Sequence, residues 1–214
     1  MLTILFVCAV NRFRSVIGEY RLNEILSRRK DNLNLEIEVT SAGIGLSADD
    51  IELLEAEGKF WREPVFGLPP YPYAIASMRR RGLDISNSRS KELTREMVNK
   101  ADLIIAFEDS QKQIILSPYN AVTGRVFTLQ ELVGYTGYLV NTDYSFPGAK
   151  PNPETRSWTF PDSFLEASIT EIEHMLWWGI DRFVEMLWEK NDNRRRGIRE
   201  NLPAGKALPG SEGW

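Results

Sequence analysis

The chain has one cysteine and one histidine in 214 residues. A single cysteine excludes an intramolecular disulfide and any relay between two thiols of the same chain. The histidine, His174, falls inside a helical pattern near the C-terminus, where its spacing marks it as a surface or boundary residue. Positive charge is not in excess: 26 Lys and Arg stand against 30 Asp and Glu, a net charge of −4. That balance gives no footprint for nucleic acid. Long hydrophobic runs are missing too. Residues 2 to 8 are mostly apolar but too few to cross a bilayer, and charge from Arg12 onward leaves no signal-peptide core. The compartment these absences predict is the cytoplasm, with no membrane partner. No internal repeat is present.

What remains is enough for one substantial core, with 43% hydrophobic and 26% charged residues. The expected organisation is one domain over residues 1–190, with insertions near 50–74 and 134–161 that are dense in Gly, Pro and aromatics. The tail over 191–214, with Arg194 to Arg196 followed by Gly, Pro and Ser, reads as a disordered end.

Strand and helix signals alternate. LTILFV (2–7) is a mostly apolar run suited to a parallel strand covered on both faces, and residues 14–29 read as the helix after it. LEIEVTSAG (35–43) alternates at period two and ends at Gly43. ADLIIAF (101–107) is a third strand, followed by a helical pattern through Leu116, and RVFTL (125–129) a weaker fourth. Leu165, Ile169, Ile172, Leu176, Ile180, Phe183 and Leu187 recur at steps of three and four, the stripe of one long amphipathic helix. Strands separated by helices imply right-handed crossovers and a parallel sheet, the fold class being α/β. In such sheets the ligand site lies beyond the carboxyl ends of the strands. Cys8 sits there.

Taken alone, a free cysteine at a strand end is a small buried hydrophobe. Its neighbours support a second reading. A strand that runs through a short loop into a helix starting near Arg14 forms a backbone nest, in which amides and the positive helix end face one point. Such a loop holds a tetrahedral dianion and favours a thiolate at its base. Arg14 has the planar fork that grips two phosphate oxygens, Ser15 carries a hydroxyl for the thiolate, and Asn11 tolerates left-handed backbone.

VCAVNRFRSVIGE (7–19) resembles the phosphate-binding loop of the low-molecular-weight protein tyrosine phosphatases: Cys, five residues, Arg, Ser, with Asn third after Cys. TSAGIG (40–45), RRRGLDISNSRSKEL (79–93), ADLIIAFED (101–109) and WTFPDSF (158–164) are similar to further segments of that family. The resemblance implies a three-layer sandwich around a parallel four-stranded sheet, with an N-terminal phosphate-binding loop. It implies a phosphatase that hydrolyses phosphomonoesters, protein phosphotyrosine first among them, through a phosphocysteine intermediate, with no metal and no cofactor. Cys8 becomes the nucleophile, Arg14 the clamp, Ser15 the thiolate stabiliser and Asp162 the proton donor, while Ala9, Val10, Asn11, Arg12 and Phe13 form the loop and Ser41 and Ser88 brace it. The partner is a phosphorylated protein or a small phosphomonoester, and the expected state is a monomer or weak homodimer.

Several residues keep two readings. Asp162 in PDSF is equally placed to cap a helix, and Ser41 to cap a turn. Trp61, Tyr71, Tyr73, Tyr135 and Tyr138 either wall the cleft or pack on their own loops. Trp177 and Trp178 lie off the apolar stripe, as a subunit contact or a loop cover. Departures from the family are visible at Val10, where Gly is usual; at Phe13, often a second Cys; at Ser88, often His; and at Ser163, commonly Pro. A β-branched Val10 is strained in a nest unless its backbone is ordinary there. Arg12 occupies a position that in the family helps choose the phosphorylated side chain, and a cation there favours an acidic peptide or a doubly charged substrate. Two alternatives stand beside the phosphatase: an arsenate reductase using an external thiol, and a phosphate-binding module with a detuned site.

Overall fold

Seven residues, Leu2–Cys8, form the first strand, β1, and every one of them is buried. This is the fate of an apolar run without polar alternation: it needs cover on both faces. The computed structural model describes residues 1–28, 36–45, 66–117, 120–134, 150–152, 157–159, 165–177 and 179. In chain order β1 is followed by helix α1 (Arg14–Arg28), β2 (Ile37–Gly43), α2 (Pro72–Arg80), α3 (Arg95–Lys100), β3 (Leu103–Ala106) and α4 (Asp109–Leu116). A 3₁₀ turn (Asn120–Arg125), β4 (Val126–Thr128), α5 (Leu129–Val133), the short strands β5 (Lys150–Asn152) and β6 (Ser157–Thr159), and a helix over 165–177, α6, complete the order.

β1 to β4 make one sheet in the order β2-β1-β3-β4, and every pairing is parallel. The register sets Cys8 opposite Gly43 and Val7 opposite Ala106, so the carboxyl ends of the three strands finish together. Period-two alternation then sorts β1 between two layers. Leu2, Ile4, Phe6 and Cys8 join a core with α1, α2 and α6. Leu5 and Val7 join the opposite core with α3, α4 and the 3₁₀ turn. These are the three layers expected. Fully buried side chains such as Ile4, Phe6, Ile17 and Ile105 each contribute about 1.5–3 kcal/mol by leaving water. α1 approaches the sheet closely at Gly18, where a Cβ would lie 2.8 Å from the Phe6 ring.

All four predicted strands and the helix over 14–29 occur within one or two residues of the expected bounds, and the helical pattern after the third strand ends at Leu116 as expected. Leu165, Ile169, Ile172 and Leu176 are buried as the stripe requires; Ile180, Phe183 and Leu187 lie outside the described residues. Two expectations change. The stretch 134–161, read as irregular, contains an antiparallel pair, Lys150–Asn152 with Ser157–Thr159, each strand too short for a periodic signal. The stretch 58–73 ends in a helix, because Pro72 stands in its first turn, where a missing N–H and a fixed φ are favourable.

Candidate active site

The loop between β1 and α1 is five residues long, Ala9 to Phe13. Asn11 has φ 53° and is the one non-glycine residue with positive φ among those described. Val10 therefore keeps an ordinary backbone, and the strain feared for a β-branched residue is absent. The backbone N–H groups of Ala9 to Phe13 make no hydrogen bond within the described residues, although Val10, Asn11, Arg12 and Phe13 are all buried. Buried amides are nearly always paired. A loop of free donors at the mouth of a parallel sheet is suited to an anion.

Cys8 is 3% exposed, with Sγ 2.9 Å from Ser15 Oγ. Ser15 is one end of a buried polar chain. Asn11 Nδ2 donates to Ser15 Oγ at 2.9 Å and to Ser41 Oγ at 2.8 Å, and Asn11 Oδ1 accepts from the Lys91 backbone N–H at 2.8 Å. Ser41 Oγ in turn donates to Glu19 Oε2. The directions follow from the ends of the chain. An ionised carboxylate only accepts, so Ser41 must spend its proton on Glu19 and receive one from Asn11. The Lys91 amide fixes the Asn11 oxygen, leaving both amide protons for the two serines. Ser15 already accepts from Asn11 and has its own proton free for sulfur. Burial pushes the Glu19 carboxyl up, against the Ser41 bond and the Lys91 ammonium 3.9 Å away.

Arg14 opens α1 and is paired with Glu108, the N-cap residue of α4, while its guanidinium carbon stands 6.0 Å from the Phe107 ring centre. The end of β2 closes against the loop: Ile44 N–H donates to Cys8 O at 3.0 Å and Gly45 N–H to Ala9 O at 2.9 Å. That approach requires glycine at 43, because a Cβ there would meet Ala9 O at 2.6 Å and Val10 C at 2.9 Å.

The loop also rests on residues 66–73. Tyr71 N–H donates to Arg12 O at 3.1 Å, and Arg12 Nε donates to Pro69 O at 2.8 Å. The Arg12 guanidinium lies 4.2 Å over the Tyr71 ring; Tyr71 stacks on Tyr73 with centroids 5.4 Å apart, and Tyr73 meets Phe13 edge-on. Tyr71 and Tyr73 thus pack against the loop instead of lining an open cleft. Arg12 is 4% exposed, which removes the reading in which it meets an acidic peptide at the surface.

The structure brings Cys8, Asn11, Arg14, Ser15 and Ser41 together. Ser88 is half-buried and hydrogen-bonded to the Tyr20 hydroxyl; the Lys91 amide, three residues on, braces Asn11 instead. Asp162, Trp61, Tyr135, Tyr138, Ser163 and Trp178 lie outside the described residues. His174 is exposed and Trp177 is 55% exposed. Glu19, Lys91 and Glu108 were not singled out from sequence. For Glu19 a signal existed: it follows Ser15 by four residues and so shares its face of α1.

The family model of the low molecular weight phosphotyrosine protein phosphatases matches residues 66–141. Over 130 residues the chain is 35% identical to a probable low molecular weight protein-tyrosine-phosphatase, EpsP, of Ralstonia nicotianae, covering 61% of this chain and 72% of the relative. It belongs to that phosphatase family. The family is a class of hydrolases, and the membership agrees with the sheet order and with a cysteine at the end of β1. A protein-arginine-phosphatase of Bacillus subtilis is 32% identical over 130 residues, 61% of this chain and 71% of the relative. Among solved structures, a mutant of YwlE from Bacillus subtilis superposes with a TM-score of 0.61 at 22% identity, covering 88% of this chain and 99% of that one. The low molecular weight protein tyrosine phosphatase from T. tengcongensis gives 0.59 at 24%, over 87% and 99%. At those identities the structures speak to the fold. No helix among the described residues is long and apolar enough to cross a membrane.

Proposed function

We propose that the chain hydrolyses phosphotyrosine in proteins, with Cys8 as nucleophile, Arg14 as phosphate clamp and Asp162 as general acid. The observation that carries this is the loop itself: Cys8 Sγ 2.9 Å from Ser15 Oγ, Arg14 on the same turn, and five backbone N–H groups that make no hydrogen bond among the described residues. Phosphotyrosine is favoured over other phosphorylated residues by the 35% identity to EpsP.

The chemistry runs in two balanced steps. The Cys8 thiolate attacks phosphorus in line, the bond to the ester oxygen breaks, and that oxygen takes a proton from Asp162, giving phosphocysteine and a neutral phenol. Water then attacks the phosphocysteine, its proton returns to Asp162, and the sulfur–phosphorus bond breaks to release phosphate and the thiolate. Charge on the equatorial oxygens is met throughout by the loop amides and the Arg14 fork. The role of Ser15 is to hold the thiolate with the proton that the Asn11 chain leaves free. Every residue named comes from one chain, so a monomer suffices, and the reducing cytoplasm keeps Cys8 as a thiol.

The test is hydrolysis of para-nitrophenyl phosphate and of a phosphotyrosine peptide, with a phosphoarginine peptide alongside, in the presence and absence of a chelator. Turnover of the first two, lost in Cys8→Ser and reduced by orders of magnitude in Arg14→Lys, is the expected result. Hydrolysis of the phosphoarginine peptide alone would move the substrate class to that of the Bacillus relative. No turnover of any of the three would overturn the proposal.

A further inference from the structure

Arg12 carries a permanent charge inside the protein, at 4% exposure. A buried guanidinium requires an answering charge or a full set of acceptors. Arg12 has neither. Nε donates to Pro69 O, the guanidinium stacks on the Tyr71 ring and shares a side-chain hydrogen bond with its phenol, and Nη1 is buried with no hydrogen-bond partner among the described residues. Among the described residues no carboxylate pairs with it, in contrast to Arg14, paired with Glu108, and to Arg21 and Arg81, each paired with two carboxylates.

Tyr71 is not the missing anion. Burial, outweighing the neighbouring Arg12 charge, pushes its phenol up to about 12, so the ring stays neutral at any physiological pH. The same phenol is raised by Cys8 and lowered by Arg12. It therefore sits within electrostatic reach of both, and the thiol and the guanidinium belong to one low-dielectric unit. Arg12 is also the fourth residue of a five-residue loop that offers free amides. The negative charges that enter this unit are the Cys8 thiolate and whatever oxyanion the loop holds.

We infer that Arg12 is an internal second cation of the phosphate-binding loop, a positioning residue whose uncompensated charge favours doubly charged oxyanions over singly charged ones without touching them. This rests on the loop's reading as a phosphate site and adds to it the charge class of the ligand. It gives the departure at residue 12 a use: the cation selects by field from beneath the loop, where a surface arginine would select by contact.

Protection of Cys8 against iodoacetamide, a neutral reagent, reads this without catalysis. At pH 7.5, sulfate and methanesulfonate are tetrahedral anions of charge two and one, neither of which titrates. In the unmodified protein sulfate should protect at concentrations on the order of tenfold lower or more, and in Arg12→Met that ratio should collapse toward one. Alkylation of the variant at pH 6 without oxyanion should slow by a similar factor. Arg12→Met should also melt no lower than the parent, since replacing an unpaired buried charge by an apolar chain of similar length relieves its desolvation. Arg12→Lys, which restores the charge, should recover most of the ratio.

A folded Arg12→Met that keeps the parent's ratio and alkylation rate overturns the inference. So does a folded Arg12→Lys that behaves like Arg12→Met. If neither variant folds, Arg12 is a strut for residues 66–71 and the inference also fails. Para-nitrophenyl phosphate hydrolysis by the parent, run in parallel, separates the two claims. Protection by sulfate without hydrolysis removes the phosphatase proposal alone, while hydrolysis with an unchanged ratio removes this one alone.

Discussion

Replacing Asn11 tests the loop at the point where backbone conformation and side-chain bonding coincide. Asn11→Ala removes three hydrogen bonds, two buried ones to Ser15 and Ser41 and a partly buried one from the Lys91 amide. The serines retain each other's vicinity and other partners, but the Lys91 N–H is left with no acceptor, which costs about 1–3 kcal/mol. Alanine must also adopt φ 53°, a left-handed backbone that costs an L-residue roughly 1–2 kcal/mol. The total is about 2–5 kcal/mol, a large share of the stability of a domain this size. Asn11→Gly loses the same bonds and escapes the backbone cost. In an ordinary helix or strand glycine is less stable than alanine by about 0.5–1 kcal/mol; here the order should reverse, glycine being the more stable by about 1 kcal/mol. Urea unfolding of the parent and both variants, followed by tryptophan fluorescence, gives the three values. An alanine variant as stable as the glycine one would refute the argument, since φ at residue 11 would then impose nothing. Both variants should also lose Ser15's fixed orientation, so their Cys8 should alkylate more slowly at pH 6 than the parent's even where they are fully folded.

Three further outcomes follow from other contacts. Gly43→Ala pushes a methyl group into the backbone of Ala9 and Val10, with the Phe66 ring 2.9 Å away on another side, and should cut kcat at least a hundredfold while destabilising by about 1–3 kcal/mol; near-parental kinetics would show that the loop can shift freely. Glu108→Gln frees Arg14 from its ion pair and also removes a carboxylate that repels phosphate, so kcat should fall by roughly tenfold with phosphate inhibition no weaker; parallel loss of both would make Glu108 a mere prop for the loop. Glu166 is pushed up by partial burial, but hydrogen bonds from Ser77, Arg81 and Arg80 outweigh that and hold it at about 2. Between that value and the ordinary 4.5 the unfolded chain binds the extra proton, so this contribution is present above pH 4.5 and is lost as pH falls toward 2. The side chain is 35% exposed, and screening limits the effect to roughly 1 kcal/mol. Melting curves of Glu166→Gln against pH should flatten over that acid limb, and an unchanged slope would remove Glu166 from it.

The parts of this protein that were legible in sequence are those where one local pattern has one cause. The run LTILFVC has no polar position to turn outward, so it could only be an inner strand, and it is buried along its length. Cys8, Arg14 and Ser15 were legible because their spacing is a property of one strand–loop–helix unit. Asn11 was legible because it tolerates left-handed backbone, and it has that backbone. Contacts between distant segments were not. Glu108 meets Arg14 across 94 residues of sequence, and Asn11 meets the Lys91 amide across 80. A glutamate beside an aspartate after a strand looks like any solvated helix start. Glu19 looked like one charge among many on an amphipathic helix, and only the parallel register that sets β2 beside β1 carries Ser41 to it. The direction of Arg12 was misread for a related reason: arginine is seldom buried without a partner, and the surface that covers it comes from residues 66–71, a segment whose composition signals a loop but not where the loop goes.

The departures at Val10, Arg12 and Phe13 find a common account in that segment. Each would enlarge a phosphate-binding loop if its side chain turned into the ligand site. All three are buried, and Arg12 and Phe13 make their aromatic contacts with Tyr71 and Tyr73. Arg12 and the Tyr71 amide are bonded reciprocally with the segment, through Pro69 O and Arg12 O. The larger loop side chains and the proline- and aromatic-rich segment are therefore complementary parts of one packing arrangement, the segment supplying the surface that the loop side chains bury. Because the bulk is absorbed there, the loop amides make no hydrogen bond among the described residues, and Val10 keeps an ordinary φ. A detuned binding module would have to lose those donors or the arginine at position 14. The loop keeps both, and it adds a buried positive charge beneath them.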